Sequence, residues 1–245
     1  MKVSIITVAY NSGRTIADTL RSVAQQSYSN IEHIVIDGAS RDNTLEEVRK
    51  HGQHVARVVS EPDQGIYDAM NKGLRLASGD IIGCLNADDA LASDDTIAHL
   101  TQALHQADIV YGDLRYVDGD QPDRILRHWK SGEFKPSQLR LGWMPPHPSF
   151  YARRHILDGF QYDTQYRIAA DYDFMLRCLQ RPNTRIAYLP EVVVNMRSGG
   201  ASNRSLQALV RKSSEDLRVM RSNHVGGLFT LMAKNLRKLP QFFGG

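Results

Sequence analysis

A chain of 245 residues is long enough to bury a substantial core, as one large α/β domain or two small ones. Its 42% hydrophobic and 23% charged residues are ordinary for a globular protein, and a net charge of +3 is too weak to argue for nucleic acid. Two cysteines cannot build a disulfide framework, and no uninterrupted apolar run reaches the ~20 residues of a membrane span.

Residues 3–8 (VSIITV) form a β-branched run and are expected to be a buried strand, followed by a turn at residues 9–13. Ile16, Leu20 and Val23 have helical spacing. Residues 31–36 form a second strand closed by Asp37-Gly38-Ala39-Ser40, and the next helix carries Leu45 and Val48. Residues 55–59 form a third strand, and Ile66, Ala69, Met70, Gly73, Leu74 and Ala77 mark the apolar face of a third helix. Residues 81–85 are a fourth strand that ends abruptly in Asn86-Ala87-Asp88-Asp89. Four βα units of this length imply a parallel sheet with right-handed crossovers.

Regularity falls after residue 108. Short strands are expected at 109–111, 114–117, 125–129, 149–151, 186–189 and 192–196, with a rigid WMPPHP loop at 143–148 and a helix at 171–179. Residues 197–204 form a polar, Gly-rich loop. Residues 206–220 suit an amphipathic helix. Leu228, Leu231, Met232, Leu236, Leu239 and Phe243 then recur at helical spacing beside Lys234, Arg237 and Lys238. Such a basic amphipathic segment suits a membrane interface, its own domain or a dimer contact. Cys84 and Cys178 read as buried thiols, favouring a reducing compartment. A strand beginning at Val3 leaves no room for a signal peptide, so a cytoplasmic protein is expected.

Asp37, Asp63 and Asp88 all fall at or just after predicted strand ends. In a parallel sheet those ends share the edge where ligands of open α/β sheets bind. No run of Lys or Arg lies nearby to compensate them, which favours a ligand that brings donors or a cation. The adjacent Asp88 and Asp89 repel each other unless a proton or cation joins them, and a hard divalent ion shared with substrate phosphates is one solution. A polar turn into a helix capped by Ser93 is the other reading. Neither GxxxxGKS/T nor GxGxxG follows the first strand, which argues against a P-loop enzyme and a dinucleotide dehydrogenase.

Six blocks, VSIITVAYN, VIDGASRDNT, EPDQGIYDAMNKGLRLASGD, CLNADD, HPSFY and AADYDFMLR, fall in the order found in family 2 glycosyltransferases, which the chain resembles over most of residues 1–200. The DGAS and DQGIYDAMNKG wording is most similar to bacterial enzymes of O-antigen, colanic-acid-type and other surface polysaccharides. The resemblance implies an α/β fold of the GT-A, Rossmann-like kind, with a mainly parallel central sheet flanked by helices. It implies a catalytic domain over 1–205, split into a nucleotide-sugar half (1–108) and a smaller acceptor half (109–205), with a helical tail at 206–245.

The implied activity is metal-dependent, inverting transfer of a sugar from a nucleotide-diphosphate donor, UDP-type being favoured over GDP or dTDP. The acceptor hydroxyl would lie on a glycan or polyprenyl-diphosphate-linked glycan at the cytoplasmic membrane face. The resemblance implies that Ala9, Tyr10 and Asn11 floor the nucleotide, that Asp37 meets the base, and that Asp63, Asp68 and Lys72 border nucleotide and sugar. Asp88 would be the principal ligand of Mn2+ or Mg2+, with Asp89 assisting or binding sugar hydroxyls. Asn86 stands where the family commonly has Asp, and Ala170 replaces the acid before Asp171. Asp171 matches the family's general base, although a helix N-terminal acid is its plain reading. His147 is a candidate for acceptor or diphosphate contact, or a solvated loop histidine. Arg197 would replace a histidine that relatives carry nearby, and Gly199-Gly200 would let that loop close over the donor. A sugar nucleotidyltransferase and a non-catalytic glycan or nucleotide-sugar binding module are the alternatives.

Overall fold

The opening β-branched run forms β1 (Val3–Ala9), in which every residue is buried. Its side chains alternate between two cores: Ile6 and Val8 join one cluster, Val3 and Ile5 the other. That alternation is the period-2 geometry of a strand covered on both faces, where each large aliphatic side chain contributes about 1.5–3 kcal/mol. β1 pairs in parallel with β2 (Ile31–Asp37) on one side and β4 (Ile81–Cys84) on the other, and β3 (Val55–Ser60) is the mostly exposed edge. The crossovers are α1 (Ile16–Ala24), α2 (Thr44–His51) and α3 (Ile66–Leu76). Residues 1–198 and 206–236 are described by this computed structural model; the expectations on Gly199, Gly200, Arg237, Lys238, Leu239 and Phe243 lie outside them.

The second half continues the same sheet with mixed polarity. Among the described residues nine strands run in the order β3-β2-β1-β4-β8-β6-β9-β5, with β7 (Ile125–Trp129) paired to β6. Here β8 (Tyr151–Arg153) is antiparallel to β4 and to β6 (Ile109–Val117), and β9 (Ile186–Arg197) is parallel to β6. β5 (Asp89–Leu91) is antiparallel to β9. The helices of this half are α4 (Thr96–Ala103), α5 (Arg154–Leu157), α6 (Ala170–Leu179), α7 (Leu206–Ser222) and α8 (Leu228–Leu236).

Several expected boundaries move. The break at Gly112 and the break at Pro190 are opposite each other: Gly112 pairs with Leu189 and Asp113 with Val192, leaving Pro190 and Glu191 as an irregularity inside one continuous strand. A bulge accommodates a proline without ending pairing. The strand expected at 149–151 starts at Tyr151, because residues 147–149 form a 3-10 turn. On α3, Ile66 is exposed and Tyr67 is buried instead, while Ala69, Met70, Gly73 and Ala77 are buried as expected. Close packing at the sheet centre is permitted by Gly83, where a Cβ would lie 2.2 Å from the Tyr151 ring.

The C-terminal helices lie against the same core. Val219 and Met220 of α7 are fully buried with Tyr172 and Met175 of α6. Lys234, one of the basic residues of the C-terminal amphipathic segment, is buried on α8, its Nζ 2.8 Å from Asp216 Oδ1. Leu228, Phe229, Met232 and Leu236 of the same helix are exposed. Among the described residues no helix is long and apolar enough to cross a membrane. Cys84 and Cys178 are free and buried, and burial pushes their thiols up to about 11 and about 12.

One buried polar pair gives the fold a pH dependence. His33 of β2 is fully buried, with Nε2 2.9 Å from Thr7 Oγ1 and Nδ1 3.0 Å from His54 Nε2. Burial, then the neighbouring His54, lowers its pKa to about 3. A depressed histidine is neutral in the folded chain and protonated in the unfolded one, so its contribution is present above about pH 6.5 and is lost as pH falls toward the folded value. In urea titrations, stability should fall below pH 6.5 with a slope approaching ~1.4 kcal/mol per pH unit from this group. His33→Gln should flatten that slope between pH 6 and 4; an unchanged slope would show that His33 is not its source.

Candidate active site

The loops after the first three parallel strands are stitched into one surface. The register places Ala9 beside Asp37 and Asp37 beside Ser60, and Gly38 N donates to Ala9 O at 2.9 Å. Asn11, held at φ 50, donates its N–H to Ser40 Oγ (2.8 Å) and accepts Arg41 N–H at Oδ1 (2.9 Å). Asparagine tolerates that left-handed backbone better than most residues. A Cβ on Gly38 would lie 2.9 Å from Asp63 Oδ2 and 3.3 Å from Tyr10 Cδ2, so the glycine lets three loops meet. Tyr10 is 65% exposed there, an aromatic face open to a planar ligand.

Asp37, expected to meet the base, has no exposed surface. Its Oδ1 accepts Ser40 Oγ–H (2.5 Å), and its Oδ2 accepts Ser60 Oγ–H (2.6 Å) and Ser40 N–H (3.1 Å). The observed work of this carboxylate is to hold the DGAS turn. Asp63 and Asp68 share a cation. Lys72 Nζ lies 2.5 Å from Asp63 Oδ1, 3.0 Å from Glu61 Oε1 and 3.7 Å from Asp68 Oδ2. Against the downward pull of partial desolvation, the Asp63 and Glu61 carboxylates hold the Lys72 ammonium above its ordinary pKa. A single lysine, rather than a run, supplies the compensation.

The turn at 86–89 has none of its own. α1 fixes its backbone: Thr15 Oγ1 donates to Ala87 O (2.8 Å) and Thr19 Oγ1 to Asp89 O (2.6 Å). Asn86 Nδ2 donates to Asp89 Oδ2 at 3.1 Å, but Asn86 Oδ1 and Asp89 Oδ1 are buried with no hydrogen-bond partner. Such groups cost about 1–3 kcal/mol each. Burial raises Asp88, with Arg197 opposing. Burial, then the Asp88 charge, raises Asp89 well above the usual carboxylate range. β5 pairs Asp89 with Met196, which brings Arg197 alongside. The Arg197 guanidinium itself is tied to Asp18 of α1. Among the described residues no three His, Cys, Asp or Glu side chains are grouped to hold a metal. Two carboxylates and one orphaned amide oxygen nevertheless form an all-oxygen donor set, suited to a hard cation that takes its remaining ligands from substrate.

Asp171 stands in the first turn of α6, where its Oδ1 accepts the Tyr172 N–H at 2.8 Å. It is half-buried, and Tyr67 of α3 reaches it: Tyr67 Oη is 3.2 Å from Asp171 Oδ1 and donates to Ile168 O at 2.7 Å. Tyr67 stacks on Tyr162 (5.8 Å between centroids), whose hydroxyl lies 2.8 Å from His147 Nε2 and 3.6 Å from Cys84 Sγ. Cys84 ends β4, two residues before Asn86. A continuous line of contacts therefore joins Asp171 to the strand that delivers Asp88. His147 is buried in this line rather than solvated, and burial lowers its pKa with Asp171 opposing. Asp173 faces away, bonded to Arg177 (2.8 Å) and Asn223 (2.7 Å).

Tyr67 and Tyr162 are functional-site residues that no sequence motif singles out by itself. Tyr67 sits inside the DQGIYDAMNKG block, and its polar tip at a buried position was the available signal. Tyr162 lies in no motif.

A mixed α/β sheet carrying acids at the carboxyl ends of β2, β3 and β4 has a GT-A-like fold. S. aureus TarS in complex with UDP-GlcNAc shares it with a TM-score of 0.71 at 20% identity, covering 92% of this chain and 66% of that one. The mannosyltransferase PcManGT from Pyrobaculum calidifontis, solved with GDP-Man and Mn2+, matches with a TM-score of 0.64 at 19% identity over 100% of this chain and 76% of that one. A PGL/p-HBAD biosynthesis glycosyltransferase of Mycobacterium bovis is 31% identical over 212 residues, 82% of this chain and 78% of the relative. Residues 4–166 match the model of glycosyl transferase family 2, and the chain belongs to that family.

The two raised carboxyls bind protons more tightly folded than unfolded. Their contribution to stability is thus present at acid pH and lost as pH rises through the folded values. In EDTA at pH 8, Asp89→Asn should raise Tm by about 2–4 °C, the shift for ~1 kcal/mol in a chain of this size. The gain should vanish near pH 4.5. Differential scanning fluorimetry checks it, and a lower Tm at pH 8 would show that Asp89 is paired after all.

Proposed function

We propose that this protein is a metal-dependent, inverting glycosyltransferase acting on a nucleotide-diphosphate sugar, UDP-type before GDP or dTDP. The observation that carries the reading is the pair of unpartnered oxygens at Asn86 and Asp89, beside Asp88, at the sheet edge that also holds Tyr10. Asp88 and Asp89, with the Asn86 amide oxygen, would hold Mn2+ or Mg2+, which when bound neutralises charge on the departing diphosphate. UDP-GlcNAc in TarS and GDP-Man with Mn2+ in PcManGT support a donor of this class.

Tyr10 stacks on the base, with Ala9 and Asn11 flooring it and Asp37 shaping the adjoining turn. The Asp63–Lys72–Asp68 knot borders the diphosphate and sugar, and Arg197 lends positive charge at its far side. Asp171 accepts the proton of the acceptor hydroxyl as that oxygen bonds to the anomeric carbon and the bond to the diphosphate breaks on the opposite face. One displacement inverts the configuration. Tyr67 steadies Asp171, and His147 backs it through Tyr162 rather than touching substrate. The acceptor is a glycan or polyprenyl-diphosphate-linked glycan at the cytoplasmic membrane face, in synthesis of an O-antigen or colanic-acid type of surface polysaccharide. The sequence wording of the DGAS and DQGIYDAMNKG blocks supports that class.

A panel of UDP, GDP and dTDP sugars, each with Mn2+ and with EDTA, should give one donor whose thermal shift needs the metal. Asp88→Ala should remove the metal-dependent shift. Asp171→Asn should keep it and lose transfer by 100-fold or more, the scale of general-base catalysis. Parent-like turnover in both variants would overturn the assignments.

Lipid contact rests on the exposed Leu228, Phe229, Met232 and Leu236 face and on Arg237 and Lys238, which follow it in sequence. Phe229→Ser with Met232→Ser spares the buried face of α8 and should abolish flotation with anionic liposomes. Undiminished flotation would remove α8 as the anchor.

A further inference from the structure

The first turn of α6, which carries Asp171, is held from behind by helices far along the chain. Glu215 of α7 is buried, and its Oε2 accepts the backbone N–H groups of Ile168 (2.8 Å) and Ala169 (3.1 Å). These are the amides of the two residues that lead into α6, Ala169 being its N-cap, where a helix leaves donors without intrahelical partners. The side chain at Ala169, the cap position, makes no capping hydrogen bond, so a carboxylate from another helix supplies what local sequence does not.

The neighbouring contacts fall on the same turn. Lys234 of α8, paired with Asp216, lies 3.5 Å from the centroid of the Tyr172 ring, and Asn223 Nδ2 donates to Asp173 Oδ1 at 2.7 Å. Arg218 stands over the Tyr166 ring at 5.2 Å. Glu215 and Arg218 are three apart on α7 and Asn223 follows its last residue, so the C-terminal half of α7 and the residue after it address residues 166–173. Tyr67 holds the opposite side of that segment through Ile168 O, leaving its backbone clamped between α3 and α7.

We propose that Glu215 is a positioning residue for Asp171. Its two charge-assisted hydrogen bonds set the start of α6, and with it the direction in which the Asp171 carboxyl meets the acceptor hydroxyl. The proposal rests on the reading of Asp171 as general base. It also makes α7, beyond the family-matched residues 4–166, part of what the reaction needs. Glu215 touches no substrate; it acts through the backbone, and misplacement of a reacting group by about 1 Å costs on the order of 100-fold in rate.

The test uses the full chain with the donor selected by the nucleotide-sugar panel, and UDP with Mn2+ as the binding probe. Glu215→Ala should lower kcat by about 10- to 100-fold, while donor KM and the UDP-induced thermal shift stay at parent values. Glu215→Gln, which retains an acceptor oxygen, should recover most of the loss. If the alanine variant does not fold, Glu215→Asp decides: its carboxylate is drawn back by one methylene and kcat should fall with UDP binding intact. Parent-like kcat in folded Ala or Asp variants overturns the proposal, as does an equal loss of kcat and UDP binding. Failure of the base reading is separate: it would appear as retained transfer in Asp171→Asn.

Discussion

The site turns on polar groups placed in or beside the core with only part of their hydrogen-bonding capacity met. At residues 86–89 two carboxyls and an amide are packed at the end of the central strand, and two of their oxygens have no partner. Threonines of α1 hold the backbone of that turn and β5 ties it to β9, so it cannot relax by swinging outward. A fold tolerates such a cost when binding a ligand recovers it, and in the proposed function that ligand is a cation with the anion it bridges.

The rest of the edge is different in kind, because its polar groups are already satisfied. Asp37 is occupied by two serines, and Asp63 and Asp68 share Lys72. These groups give the loops their shape and spare the ligand the entropy of ordering them. Under the proposed function, rigid loops on the nucleotide side and unmet demand at the 86–89 turn are complementary.

Aromatic side chains carry the link between the two halves. Tyr162 stacks on Phe174 at 4.1 Å and on Tyr67, and it meets Cys84 and His147 through its hydroxyl. These large, stiff groups have few rotamers, so the separation of Asp171 from the end of β4 is set by packing rather than by a loop. Helices α6, α7 and α8 enclose the same core, and the exposed apolar face of α8 is the back of a helix whose front grips Tyr172.

The parallel half of the sheet was legible from composition and period alone: apolar runs at 3–8, 31–36 and 81–85 are dictated by burial on both faces, and acids at their ends are forced to one edge by parallel topology. Asp88, Asp89 and Asp171 could be picked out for that reason and by resemblance. The continuity of β6 and β9 across Gly112 and Pro190 was not legible, since each break is harmless only because the other lies opposite. Nor were the partners of Asp171. Tyr67 is 104 residues from it and Glu215 approaches from α7, and no local pattern records a contact that exists only after distant helices pack. The sequence by itself determined which groups would be charged and which edge they would reach. Only the tertiary structure decided which of those charges are answered, because neutralisation depends on distance in space and not along the chain.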